Sequence, residues 1–306
     1  MSLIGLFKGK GTTGFGYNSS AEEVVNEMDL SGKSFLLTGC SSGLGEETLQ
    51  ALSKRGAHMI AAARSVGSAQ EAIARTGANA TPAACDLSDP ASVRATVEAV
   101  QSLGRPLDAI ICNAGVMAIA SVQRIHGIEA QFFINHIGHF ILVAGLLDSL
   151  SADGRVVMVS SSAHNMAPAW GIEFDDLGAK KNYSPWGRYG QSKLANLLFA
   201  RELGRRFDGT GRSANALHPG VITTNLGRHM SPIARTAMAL AGPLFLKNIP
   251  QGAATQCYLA AHPEASRYNG EYFADCNPAK SSVIGWDMEL AARLWARSEE
   301  IVAGIS

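Results

Sequence analysis

A short apolar run, Ser34-Phe35-Leu36-Leu37, leads into Thr38-Gly39-Cys40-Ser41-Ser42-Gly43-Leu44-Gly45 and then directly into a helical pattern. That pattern closes near Arg55, with Gly56 placed as its C-terminal cap. A strand that turns through three glycines into a helix admits few folds. The turn is tight, the backbone is open to close approach, and the helix N-terminus presents free N–H groups. Together these suit the pyrophosphate of a dinucleotide. A glycine loop alone specifies little, because many turns are glycine-rich.

Strand and helix keep alternating for roughly 180 residues. Strands are expected at 58–63, 81–85, 107–112, 155–160 and 213–217. Helices are expected at 67–76, at 90–103 behind Asp89-Pro90, across most of 125–150, and at 188–207, which is strongly amphipathic. This order predicts an α/β fold: a Rossmann-like doubly wound parallel sheet with helices on both faces. No internal repeat or low-complexity linker interrupts it, so 31–306 reads as a single domain. Residues 1–30 read as an N-terminal arm rather than a core element. The arm is punctuated by Gly9, Gly11, Gly14 and Gly16 and ends in a helix start at Ser19-Ser20-Ala21-Glu22-Glu23.

Composition narrows the partners. Among 306 residues, 26 Lys+Arg balance 26 Asp+Glu, and no basic excess marks a nucleic-acid binder. Charged residues are 17% of the chain, against roughly 25% in ordinary soluble domains. Five cysteines without a C-x-x-C pair argue against a disulfide framework or structural zinc, and for a reducing compartment. The histidines show no ligand spacing, so no metal is expected. The apolar run 1–7 is too short for a signal peptide. The nearest approach to a spanning segment, 230–246, is broken by Pro232, Gly242 and Pro243. A cytoplasmic protein without an integral membrane segment is the expectation.

Two further features point to chemistry. The second strand ends at Ala63, and the next residue is Arg64 rather than an acid. An acid there suits a free ribose 2′-hydroxyl and an arginine suits a 2′-phosphate, so NADP(H) is expected over NAD(H). Tyr189 and Lys193, four residues apart on one helix face, are close enough to interact. An ammonium one turn away would lower a phenol pKa that is ordinarily near 10.

These motifs together resemble the short-chain dehydrogenase/reductase family over about 31–226. Thr38-Gly39-x-x-x-Gly43-x-Gly45 and Tyr189-x-x-x-Lys193 are joined by Cys85-Asp86-Leu87, where the family's acidic residue contacts adenine. Asn113-Ala114-Gly115 follows the fourth strand, with Cys112 replacing the first asparagine of the family's Asn-Asn-Ala-Gly. Asn135 stands at the family's helix asparagine, and Val159-Ser160-Ser161 at its serine strand. His218-Pro219-Gly220-Val221-x-x-Thr224 matches the segment that grips the nicotinamide amide. A narrower resemblance, to the retinol dehydrogenase-like branch, rests on Asn135-His136-Ile137-Gly138-His139-Phe140, Ser160-Ser161-Ser162-Ala163-His164, Ser192-Lys193-Leu194-Ala195-Asn196 and the 270–276 segment.

The resemblance implies an NADP(H)-dependent oxidoreductase for a small lipophilic carbonyl/alcohol pair. Tyr189 would be the general acid/base and Ser161 a donor to the substrate oxygen. Lys193 would hold the nicotinamide ribose, and Asn135 would place a relay water behind the lysine. Gly39, Ser41, Ser42, Gly43, Leu44, Gly45, Arg64, Asp86, Leu87, Asn113, Ala114, Gly115, Pro219, Gly220, Val221 and Thr224 would line the cofactor. The 28 residues from Ser161 to Tyr189 hold Trp170, Tyr183 and Trp186 and leave Ser160, Ser161 and Ser162 all in contention. Position in the motif selects Ser161. His136 and His139 read as packing or surface groups, and His164 as a candidate substrate contact. The apolar segment 225–250 reads as a substrate lid or, equally, as an interface in a homo-oligomer. Two other functions remain open: a C=C reductase on the same fold, or a non-catalytic nucleotide-binding sensor.

Overall fold

A computed structural model describes residues 8–222 and 246–305. Its elements, in chain order, are α1 (Ala21–Val25), β1 (Ser34–Thr38), α2 (Gly43–Ser53), β2 (His58–Ala63), α3 (Val66–Thr76), β3 (Ala80–Ala84), α4 (Pro90–Ser102) and β4 (Leu107–Cys112). A small hairpin follows, β5 (Arg124–Ile125) with β6 (Ile128–Glu129). Then come α5 (Ala130–Phe132), a π turn (Phe133–Ile137), α6 (Gly138–Leu146), β7 (Leu150–Val159), α7 (Pro185–Arg206) and β8 (Ser213–His218). The chain closes with α8 (Ile249–Ala261), β9 (Tyr272–Ala274), β10 (Asn277–Pro278) and α9 (Met288–Ala303).

The sheet runs β10-β9-β8-β7-β4-β1-β2-β3, and only the β9–β10 pair is antiparallel. This is the doubly wound sheet expected. After β3 the chain crosses to β4 on the other side of β1, so β1 and β4 flank the switch point where such sheets bind ligands. Strand residues alternate between two cores, as a period of two requires. Leu36, Ile60, Ile110 and Met158 face α4, α6, α7 and α9. Phe35, Leu37, Met59 and Ile111 face α1, α2 and α8. β3 closes one edge with Pro82, a residue such edges tolerate.

Several boundaries differ from expectation for local reasons. The helix α7 begins at Pro185 rather than 188, because Ser184 caps it by accepting from Gly187 N–H and proline sits in its first turn. β7 begins at Leu150, five residues early, through a register irregularity opposite Leu107/Ala109. The helix expected from 125 starts at Ala130. Before it, His126 and Gly127 both take positive φ (48° and 78°) and close the β5–β6 hairpin.

The expectation of an arm separate from the core fails for 21–30. Ala21, Val24, Val25 and Leu30 are buried, and α1 packs against α8. Among the described residues one helix, Ala130–Ser149, is long and apolar enough to cross a membrane, but 78% of its most apolar window is buried inside the fold. It is a core helix whose charge-poor sequence reflects packing over most of its surface.

Candidate active site

A cleft of about 620 Å³ opens at the carboxyl ends of β1, β2, β4, β7 and β8. The glycine turn forms one wall. Gly39 and Gly43 take positive φ (72° and 58°), and Cβ atoms on Gly39 and Gly45 would run into Ala114 and the Gly39 carbonyl respectively. α2 has Ser42 at its N-cap position, but no side chain caps it, in contrast to the caps on α3 (Ser65), α4 (Asp89) and α7 (Ser184). Its first N–H groups therefore remain available to an anion beside a backbone without side chains. These residues fit a dinucleotide pyrophosphate.

Buried polar groups hold that wall in place. The Thr38 hydroxyl accepts the Asn113 and Ala114 N–H groups at 3.0 Å each, and Asn113 Nδ2 returns a bond to Thr38 O at 2.8 Å. The Thr38 hydroxyl also pairs with His139 Nε2 at 3.0 Å, and His139 Nδ1 meets Asn135 O at 2.9 Å. A carbonyl can only accept, so Nδ1 carries the proton and Nε2 accepts from Thr38. Burial pushes His139 down to about 4, which keeps the ring neutral. Gln256 on α8 reaches Leu44 O, Thr48 Oγ1 and Asn113 Oδ1. The motifs did not single out Gln256, although a glutamine within an apolar helix run was a readable signal.

Farther along the cleft, Arg64, Asp86 and Leu87 line one end. Asp86 accepts from Ser88 N–H and its hydroxyl, which fixes the turn after β3. Cys112, the substituted asparagine position, is fully buried in the core. The opposite end is bounded by Pro219, Gly220 and Val221. Thr224 and most of the expected lid lie outside the described residues.

Ser161, Tyr189 and Lys193 meet on the cleft floor. Ser161 Oγ accepts Ala163 N–H at 3.1 Å, so its own proton is free to point elsewhere. Burial raises the Tyr189 phenol to about 12, against a smaller opposing pull from a Ser161 hydrogen bond. Burial lowers Lys193 to about 8. Its Nζ donates to Val159 O at 2.9 Å and lies 5.8 Å from the Tyr189 ring centre. The neighbouring serines are placed differently. Ser160 donates to Lys193 O at 2.6 Å and is buried, whereas Ser162 is exposed and gives its N–H to His218.

The Asn135 side-chain amide is bonded within the chain: it exchanges bonds with Val116 N–H and O (2.8 and 2.9 Å) and donates to Ser192 Oγ, while its backbone carbonyl accepts from His139 and keeps a second lone pair. It braces the 113–116 turn against α7. His164 is not a substrate contact, because Nδ1 bonds Ser161 O at 2.6 Å and Nε2 accepts Ser282 N–H at 2.9 Å. His136, by contrast, packs inside as read, against Ser298 and Phe132.

The segment between Ser161 and Tyr189 is tied down by Arg188, which is 5% exposed. Its guanidinium bonds Glu173, Asp176 and the Asn182 carbonyl, so the residue before Tyr189 anchors the insertion. Of the aromatics singled out there, Trp186 lines the cleft and meets Tyr189 edge-on at 6.1 Å. Tyr183 holds Ile119 O, and Trp170 points to solvent. Met117, Ile119, Ile134 and Met166 complete an apolar wall in which Gln123 is the polar side chain.

Comparison with known proteins agrees with this geometry. The profile of the short chain dehydrogenase family matches residues 33–174. The chain is 40% identical to the short-chain dehydrogenase TIC 32 A, chloroplastic, of Brassica napus, with 100% of both chains covered. It is 37% identical to retinol dehydrogenase 14 of Homo sapiens, over 89% of this chain and 86% of that one. Among solved structures, an uncharacterized protein from Mycobacterium paratuberculosis superposes with a TM-score of 0.75 at 32% identity, covering 92% of this chain and 97% of its own. A short chain dehydrogenase from Burkholderia cenocepacia, in complex with NADP, shares the fold at a TM-score of 0.64 and 24% identity, covering 80% and 97%.

Proposed function

Because the chain belongs to the short-chain dehydrogenase/reductase family, retinol dehydrogenase-like, and is an NAD(P)-dependent oxidoreductase acting on CH–OH and C=O groups, we propose a finer reading. It moves hydride between NADP(H) and a lipophilic carbonyl/alcohol pair, with Tyr189 as general acid/base. The observation that carries this reading is the convergence of Ser161, Tyr189 and Lys193 between the glycine wall and the apolar wall of one cleft.

The cofactor, when bound, supplies or takes the hydride. The rest falls to side chains. Ser161, with its oxygen held by Ala163 N–H, donates its proton to the substrate oxygen and stabilises charge there. A phenol that keeps its proton up to about pH 12 is ready to serve as the acid in reduction. Its ionisation in the oxidising direction needs cationic neighbours, and Lys193 Nζ is one. Arg64 at the cleft end, with no carboxylate partner among the described residues, supports recognition of a 2′-phosphate. The apolar wall supports a lipophilic substrate, since burying apolar area is worth ~25 cal/mol per Å². Five free, buried cysteines support a reducing, cytoplasm-like compartment.

The test is turnover by purified protein with NADPH and NADH against a panel of apolar aldehydes and ketones, with product analysis. NADPH is expected to outperform NADH by about tenfold, the scale of one charge-assisted contact. Tyr189→Phe should lower kcat by about 10³-fold and leave NADPH affinity nearly unchanged. Unchanged turnover in that variant would refute the assigned role. Saturated products from an enone panel would move the reaction to C=C reduction.

A further inference from the structure

Lys247 lies outside the cleft, just before α8, and its side chain is 1% exposed. A lysine is seldom buried without a partner, and here the head group has a carboxylate and an aromatic ring beside it. Its Nζ lies 2.7 Å from Asp275 Oδ1 and 4.8 Å from the ring centre of Tyr17. The other Asp275 oxygen takes Lys8 Nζ at 3.1 Å, and Lys8 covers the same Tyr17 ring at 4.9 Å. Three separate chain segments, one of them the N-terminal arm, thus build one cage.

The stem of Lys247 does something different. Gly220 has φ +96°, and a Cβ there would lie 2.7 Å from Lys247 Cδ. The Lys247 backbone N–H donates to Val221 O at 2.9 Å, and Ile222 and Lys247 form a parallel bridge. The turn that closes one end of the cleft therefore rests on the Lys247 methylenes and is hydrogen-bonded to its backbone. Asp275 and Cys276 both take positive φ (53° and 61°) and form the two-residue turn between β9 and β10, which holds the Asp275 carboxylate beside Lys247. Asn277, next in sequence, clamps the arm by accepting Thr13 N–H at 3.1 Å and donating to Phe15 O at 3.0 Å.

We propose that Lys247 is a positioning residue for the cofactor: held by Asp275 and the N-terminal Tyr17, it fixes the Gly220–Ile222 turn against the cleft. The arm is then part of the binding machinery, reaching the cofactor through Lys247 rather than by contact. This rests on reading the cleft as the dinucleotide site, and the experiment separates the two.

NADP⁺ affinity is measured by titration on the full-length chain, alongside thermal unfolding and steady-state kinetics. Wild-type protein that binds no nicotinamide dinucleotide overturns the site reading itself. Given wild-type binding, Lys247→Met should raise the NADP⁺ Kd and the cofactor KM by about tenfold, the scale of a displaced positioning group. The same variant should change kcat and the substrate KM little, a split that loss of stability alone would not produce. Tyr17→Leu should shift the cofactor Kd in the same direction by a smaller factor. If Lys247→Met fails to fold, the double variant Lys247→Met/Asp275→Leu removes both charges together and is read in the same way. A folded variant with lowered Tm and unchanged NADP⁺ affinity makes the cage purely structural and overturns the proposal.

Discussion

The wall from Thr38 to Gly45 is backbone, held from behind by Asn113, His139 and Gln256, whereas the wall across from it is side chain: Met117, Ile119, Ile134, Met166 and Trp186. The first wall is braced by buried hydrogen bonds, and its glycines are pressed against neighbours. The second carries apolar surface open to solvent, with Met166 56% and Trp186 36% exposed. A phosphate chain is recognised by N–H groups at fixed positions, so the first wall must be rigid and tolerates little change. A lipophilic substrate is recognised by area, which many side-chain sets can supply.

Gly45→Ala should break the rigid wall with the larger effect. Its Cβ would meet the Gly39 carbonyl and, at 2.8 Å, Asn113 Nδ2, neither of which can retreat without disturbing Thr38. A loss of about 1–3 kcal/mol in stability is expected from overpacking. Urea unfolding checks it, and NADPH titration should show weaker binding while the substrate KM moves less. Trp186→Ala should act on the other wall alone. The KM for an apolar substrate should rise by about tenfold, the scale of one aromatic contact. NADPH affinity and unfolding midpoint should hold. If Trp186→Ala weakened NADPH as much as Gly45→Ala does, the two walls would not be independent.

The same contrast explains what the sequence disclosed. Gly39, Gly43 and Gly45 were legible because only glycine meets those backbone demands, and the strand-helix order around them implied the sheet. Tyr189 and Lys193 were legible as a pair on one helix face. His164 was misread because its type suggested polar contact with a ligand, yet it satisfies its own chain, and a residue's bonding partners are a tertiary fact. Gln256, Arg188 and Lys247 are buried polar groups whose partners lie as many as 230 residues away in sequence, as with Lys247 and Tyr17. No local spacing announces them. The His126-Gly127 turn was missed because it lacks the usual Asn-Gly pair.

Acid should expose a smaller difference between the walls. His139 stands behind the glycine wall and is held near 4 by burial, as is His218 at the opposite end of the cleft, while His136 on the α9 side is held near 3. Each folded-state pKa is depressed below the ordinary 6.5. The unfolded chain therefore binds more protons between 6.5 and about 4, and stability present above 6.5 is lost as pH falls through that window. Each ring can contribute a slope of up to about 1.4 kcal/mol per pH unit. Chemical unfolding between pH 7 and 5 measures the sum, and a flat profile would mean that these rings accept protons while folded. His139→Gln should remove one share of the slope. It should also weaken NADPH binding, because the Thr38 hydroxyl that holds Asn113 and Ala114 loses its fixed acceptor. An equal loss of slope in His136→Gln with unchanged NADPH affinity would show that the histidines share one acid response. Only the ring behind the glycine wall would then be coupled to the cofactor.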